Sequence, residues 1–229
     1  MDAENPEARA QYAQLPDIVC YSDTSSWNIP WKLNLTPWNK WAYNPTLREA
    51  IEDSVIEYPK GRDKRALVPG CGEGHDVIYI ASTLGIPTTG LDLSPTAVER
   101  ASSLLETTPE VPKDLINLKV EDFFSLKPEG EADKYDLIQD YTLFISIHPS
   151  QRLEWGRQMA ALTKQGGYLI TVVFPIDPKT DTGPPWYVRP NHYDEPLAGC
   201  FRKVVDKAPM KLPPGWPEGR QHLLVWQRL

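Results

Sequence analysis

The run Ala66-Leu-Val-Pro-Gly-Cys-Gly-Glu-Gly-His-Asp76, followed by Gly90-Leu-Asp92-Leu-Ser94, constrains this chain more than any other segment. A short apolar stretch, Ala66 to Val68, stops at Gly70, Gly72 and Gly74. An apolar-periodic segment then opens with Val77, Ile78 and Ala81. Roughly 20 residues past the glycines, a second apolar run ends in the carboxylate of Asp92. Strand, tight turn, helix and second strand in that order open a nucleotide-binding α/β domain. Glycine lets the turn come close to a ligand because no Cβ intervenes. A carboxylate at the tip of the next strand can accept both ribose hydroxyl protons, so the ligand is narrowed to an adenosine-containing cofactor.

The turn also discriminates between such cofactors. A dinucleotide fingerprint reads G-x-G-x-x-G, whereas this turn reads G-x-G-x-G and places His75 where the last fingerprint glycine belongs. A pyrophosphate needs an uncluttered helix N-terminus. Glu73 and Asp76 would repel its oxygens. Carboxylates there suit a ligand with an ammonium or a sulfonium, and S-adenosyl-L-methionine carries both and no phosphate. A dinucleotide oxidoreductase is the weaker alternative, and NADH binding separates the two. Asp122-Phe123, past the apolar run 116–120, supplies a carboxylate for the adenine amine and a ring for its face. The run 135–141 reads as a fourth strand that ends in Tyr141 at the same edge. Ligands of open α/β sheets sit outside the carboxyl ends of the strands, where Gly70, Asp92, Asp122 and Tyr141 all fall.

The length, 229 residues, suits a single domain over 1–229. Residues 1–44 read as a lead-in, loosely packed to residue 20, and a tryptophan-rich cap; 45–229 read as the cofactor-binding α/β core, with an acceptor-side insertion over about 175–200. A net charge of −7 with no basic stripe argues against nucleic-acid and anionic-membrane partners. No apolar run is long enough to span a bilayer, and the acidic, polar start is unlike a signal peptide. Cys20, Cys71 and Cys200 form neither a disulfide framework nor a zinc spacing, and His75, His148, His192 and His222 lack metal-ligand spacing. A reduced, cytoplasmic, metal-free protein is therefore expected. The sequence does not fix an oligomeric state.

Apolar spacing predicts helices over 45–58, 74–84, 95–106 and 149–163. Ser94-Pro95 supplies an N-cap and first-turn proline for the third of these. Gly166-Gly167 ends the last, and 168–174 forms a fifth strand. Strands alternating with helices imply a parallel sheet covered on both faces. Two final strands, 202–206 and 221–227, pair antiparallel because only a turn-rich connection separates them.

Further motifs carry a resemblance. These are Trp27, Trp31 and Trp38 with Thr36-Pro37-Trp38; Leu67-Val-Pro-Gly-Cys-Gly72; Glu121-Asp122-Phe123-Phe124; Asp140-Tyr141-Thr142; and Phe174-Pro175 followed by Gly183-Pro184-Pro185. From Ser26 onward the chain resembles the thiopurine methyltransferase superfamily of class I S-adenosylmethionine-dependent methyltransferases. It is most similar there to the plant and fungal halide/thiol methyltransferases. The resemblance implies a Rossmann-like fold: a mostly parallel seven-stranded sheet with an antiparallel C-terminal strand, helices on both faces and an aromatic N-terminal cap. It implies that Trp27, Trp31 and Trp38 close over the cofactor, with Gly70, Asp92, Asp122, Phe123 and Tyr141 completing its site. Core packing of a cap is the competing reading of the tryptophans, although a sulfonium gains from facing aromatic rings. Departures cluster toward the acceptor: Trp186, then Tyr187, stands where relatives usually carry tyrosine, Asn39 replaces an aspartate, and His148 stands in the loop 145–149.

Transfer to a halide or small thiolate needs alignment and dehydration more than proton transfer. An aromatic, proline-edged pocket with Trp186 or Tyr187 would dehydrate the acceptor. Tyr141 is the residue expected nearest the reacting centre, through its hydroxyl or only as packing on the cofactor. No residue is a clear base, which favours small anions such as iodide, bromide, chloride or hydrosulfide. Two alternatives are a methyltransferase for a larger thiol or secondary metabolite, and a catalytically silent cofactor-binding partner protein.

Overall fold

Apolar runs bounded by turn residues form seven strands: β1 (Ala66–Pro69), β2 (Thr88–Asp92), β3 (Ile116–Val120), β4 (Tyr135–Tyr141), β5 (Thr163–Val173), β6 (Phe201–Lys207) and β7 (His222–Arg228). The computed structural model describes residues 6–52, 56–210, 212–216 and 218–229. The strands join one sheet in the order β3-β2-β1-β4-β5-β7-β6. The first five are parallel, and β7 runs antiparallel to both β5 and β6. This is the mixed, doubly covered sheet expected from the alternation of elements.

The helices are α1 (Pro6–Tyr12), α2 (Leu15–Ile18), α3 (Asn28–Lys32), α4 (Pro45–Glu52), α5 (His75–Leu84), α6 (Pro95–Thr107), α7 (Leu143–Ser146), α8 (Arg152–Leu162) and α9 (Asp194–Leu197). Alternate strand residues supply two cores, as the two-residue period of a strand requires. Leu67, Ile138, Leu169 and Leu224 pack with Trp155 and Met159 of α8. Val68, Leu137, Ile170 and Val225 pack with Leu47 of α4 and with Val77 and Ile80 of α5. Ser94 accepts a hydrogen bond from the Ala97 amide at 3.1 Å and caps α6, with Pro95 in its first turn.

Three expectations need correction. The helix predicted over 45–58 is observed over Pro45–Glu52, and Ile56 to Tyr58 are not helical; residues 53–55 lie outside the described residues. The strand β5 opens earlier than expected, with Thr163 opposite Tyr135, but residues 164–167 are an irregularity and continuous pairing starts at Tyr168, where the sequence places the strand. The lead-in is not loose from residue 6 onward. Ala8, Tyr12, Leu15 and Val19 bury one side of α1 and α2 and of the turn that follows. No helix among the described residues is long and apolar enough to cross a membrane.

The sheet order places the topological switch beside β1, which pairs with β2 on one side and β4 on the other. A crevice opens there at the carboxyl ends of the strands, the position where such sheets take ligands.

Candidate active site

Two glycines, Gly70 and Gly72, help to line this crevice. Gly72 sits at φ +53°, and a Cβ added there would lie 3.2 Å from the Trp31 ring. Both facts exclude a larger residue. Its amide donates to Asp92 Oδ2 at 3.0 Å, and the Ser94 amide donates to Oδ1 at 2.9 Å. Asp92 is thus held at the tip of β2 by the turn it faces. Burial pushes its carboxyl above the ordinary range, and the Ser94 and Gly72 amides pull it back. Asp122 caps the next turn by accepting from the Phe124 amide at 2.9 Å.

The tryptophans form a packed trio. Trp38 meets Trp27 edge-on at 6.1 Å and Trp31 edge-on at 6.0 Å. The cap that carries them is tied to α6. Arg100 donates to the Trp31 carbonyl at 2.8 Å, and Ser94 Oγ donates to Asn28 Oδ1 at 2.7 Å.

One cavity of about 400 Å³ brings these residues together. Trp27, Trp31, Trp38, Gly70, Asp92, Asp122, Phe123 and Tyr141 all line it. No arginine is among its described lining residues, so it has no arginine cradle for a pyrophosphate. Glu73, expected to face a cationic ligand, is engaged by His75 and Arg100, each at 3.6 Å. Asp76 turns into the cavity. Its Oδ1 accepts from the Asn44 amide at 2.8 Å and its Oδ2 from Gln139 Nε2 at 3.0 Å. Burial pushes its pKa up to about 6.

Tyr12, Leu15, Tyr21, Phe174, Pro184, Pro185 and Trp216 also line the cavity. Tyr12 and Leu15 come from the segment read in sequence as a loose lead-in. Their spacing with Ala8 and Val19 (four, three and four residues) is the helical signal that marks them. Trp186 and Tyr187, expected at the acceptor pocket, are not among its lining residues. Trp186 folds back on its own loop, within 2.5 Å of where a Cβ on Gly183 would stand, and meets His148 edge-on at 4.8 Å. Tyr187 packs on His192 at 5.4 Å. Pro184 and Pro185 face the cavity in their place.

Tyr141 lines the same cavity, its ring 5.8 Å from that of Phe174. Burial raises its hydroxyl well above the ordinary phenol value, with Tyr12 and Asp76 adding to the shift. It stays protonated at neutral pH and is a hydrogen-bond donor. Behind it, Asp140 is 1% exposed and accepts from Trp155 Nε1 at 2.8 Å and from the Phe144 amide at 3.4 Å. Those bonds fix the strand tip on which Tyr141 stands.

A sheet of this order, a glycine turn bonded to a strand-tip carboxylate, and a second carboxylate one strand over define a class I methyltransferase. Comparisons with known proteins agree. The family model for thiopurine S-methyltransferase (TPMT) matches residues 22–212, and the chain belongs to that family. It is an S-adenosylmethionine-dependent methyltransferase. "Probable thiol methyltransferase 2" of Arabidopsis thaliana is 35% identical to it, over 92% of this chain and 88% of that one. "Thiocyanate methyltransferase 1" of Brassica oleracea is 33% identical, over 98% and 92%. Among solved structures, a SAM-dependent methyltransferase of Methanosarcina mazei superposes with a TM-score of 0.62 at 17% identity, over 82% of this chain and 99% of that one. A structure from work on conversion of a disulfide bond into a thioacetal group during echinomycin biosynthesis superposes with a TM-score of 0.64 at 18% identity, over 83% of each chain.

Proposed function

We propose that this methyltransferase acts on a small, soft nucleophile: hydrosulfide, thiocyanate or another small thiol, and iodide among the halides. The observation that carries this reading is the size and character of the cavity. At about 400 Å³ it is near the lower end of ligand sites. A nucleoside joined to an amino acid takes most of it. What is left is bounded mainly by Leu15, Phe174, Pro184, Pro185 and Trp216, an apolar space for a small acceptor. The thiol and thiocyanate names of the relatives support the same class of acceptor.

The cofactor supplies an electrophilic methyl on a sulfonium, displaced in line as a neutral thioether leaves. Asp92 and Asp122 would hold its ribose hydroxyls and adenine amine, and the Trp27, Trp31 and Trp38 faces would close over the sulfonium. The protein's share of the chemistry is then alignment and exclusion of water. Tyr141 donates its hydroxyl to the incoming anion and orients it. The apolar wall strips the anion of water, which penalises chloride more than iodide.

Purified protein is given S-adenosylmethionine with iodide, chloride, hydrosulfide, thiocyanate or a bulky aromatic thiol, and methylated products are measured by gas or liquid chromatography. Methylation of hydrosulfide, thiocyanate and iodide is expected, with iodide well ahead of chloride. Tyr141→Phe should lower kcat more than it weakens cofactor binding. Rapid methylation of the bulky thiol with none of the small anions would overturn the proposal in favour of a larger acceptor.

A further inference from the structure

Two amides in the crevice between β1 and β4 are oriented by bonds at one end and left open at the other. Asn44 Oδ1 accepts from the Thr46 amide at 2.8 Å, which fixes which side of the group is nitrogen. Its Nδ2 is buried beside the Tyr141 hydroxyl, which it helps to hold down in pKa, and makes no well-formed hydrogen bond. Gln139 Nε2 donates to Asp76 Oδ2 at 3.0 Å, and its Oε1 is likewise buried and without a partner. Asn44 is 1% exposed and Gln139 is fully buried, yet both line the cavity. An orphaned group in such a place is costly unless a ligand satisfies it. One is a donor and the other an acceptor, and Asp76 bridges them through the Asn44 amide and Gln139 Nε2.

The sheet order says which part of a ligand arrives there. Asp122 and Asp92 stand beyond β3 and β2, at the nucleoside end. A cofactor laid along the carboxyl edge reaches the β1–β4 crevice with its other end. In S-adenosylmethionine that end is an amino acid, which presents a carboxylate and an ammonium on one carbon. The two groups match the open donor and the open acceptor. The Asp76 carboxylate stands one hydrogen bond behind Gln139 and favours the cation on that side.

We propose that Asn44 Nδ2 takes the carboxylate and Gln139 Oε1 the ammonium of the cofactor's methionine end. Asp76 is a positioning residue that holds the Gln139 side-chain amide and the backbone N–H of Asn44. The assignment rests on S-adenosylmethionine being the cofactor, adds Asn44 and Gln139 to its site, and gives Asp76, read from the sequence as suited to a cationic ligand, an indirect part in it.

Calorimetry with two ligands tests it. S-adenosylhomocysteine carries the amino-acid end, and 5′-methylthioadenosine has the same nucleoside thioether without it. Wild-type protein should bind S-adenosylhomocysteine at least about tenfold more tightly. Asn44→Asp keeps the acceptor for the Thr46 amide and removes the donor; Gln139→Leu removes the acceptor. Each should weaken S-adenosylhomocysteine roughly 10- to 100-fold and leave 5′-methylthioadenosine within about twofold. Retained binding of 5′-methylthioadenosine also reports that the variants are folded. Equal wild-type affinity for the two ligands overturns the subsite and leaves the cofactor assignment standing. So does an equal loss of both in the variants. Failure of the wild-type protein to bind either ligand overturns the cofactor assignment and the subsite with it.

Discussion

Asp140→Asn should change how stability depends on pH, by an amount the structure fixes. Burial pushes the Asp140 pKa up to about 7, against the bonds from Trp155 and from the Phe144 and Leu143 amides. In the unfolded chain an aspartate titrates near 3.9. The folded value is the higher one, so the stabilising contribution is complete below about pH 4 and is lost as pH rises toward 7 and beyond. A difference of about 3 pKa units corresponds to about 4 kcal/mol. The asparagine variant does not ionise. Its carbonyl can still accept from Trp155, but its amide nitrogen faces the Phe144 amide, a loss of about 1 kcal/mol. Urea unfolding of both proteins across a pH series should therefore cross. The wild type should be more stable by about 1 kcal/mol near pH 4, and the variant by about 3 kcal/mol near pH 8. Taking the difference between the two proteins cancels the titration of Asp76 and Asp92, whose carboxyls are also raised by burial. Parallel pH profiles would refute the reasoning and mean that Asp140 is already neutralised or solvated in the fold.

Two further outcomes follow from the site. Asp92→Ala should weaken S-adenosylmethionine binding by roughly 1.5–3 kcal/mol, the range for a hydrogen bond to a charged group, as read by calorimetry; unchanged affinity in a folded variant would mean that the ribose is held elsewhere. The aromatic cap, anchored to α6 through Asn28 and Arg100, should gain hydrogen-exchange protection over residues 6–40 when S-adenosylhomocysteine binds. Equal exchange with and without ligand would make the tryptophans plain core.

Part of the sheet was legible because β1, the later part of β5 and the middle of β7 are apolar runs. The Ala66, Gly70 and Asp92 spacing located the crevice before any coordinates did. The start of β5 was hidden because Lys164-Gln165-Gly166-Gly167 has the composition of a turn. Thr163 alone is paired with β4 there, and the four residues after it form an irregularity before pairing resumes at Tyr168, which no local pattern announces. The helices α1 and α2 were missed for another reason. Their apolar period is present, but it is carried by four residues among polar neighbours. Trp186 shows the converse limit: the sequence placed it beside the Gly-Pro-Pro turn, while the direction of its ring depends on Gly183 leaving room for it. Asn44 and Gln139 carry no titratable group and belong to no motif, so nothing in the sequence singles them out. Their open atoms exist only once Thr46 and Asp76 have taken the other ends.

The acceptor wall draws on three stretches far apart in the chain: α1–α2, the loop after β5, and the β6–β7 connection that carries Trp216. None of its residues among Tyr12, Leu15, Pro184, Pro185 and Trp216 lies in a strand, whereas Asp92 and Tyr141 sit on strand tips and Gly70 directly follows one. The pocket therefore joins residues fixed by the sheet to residues carried on connections, and the two sets meet where the Phe174 ring lies 5.8 Å from that of Tyr141. Mutations can accumulate in the wall one stretch at a time, altering which nucleophile is admitted, while the sheet keeps the methyl donor in register. A lineage built this way can change its substrate without relearning how to hold its cofactor.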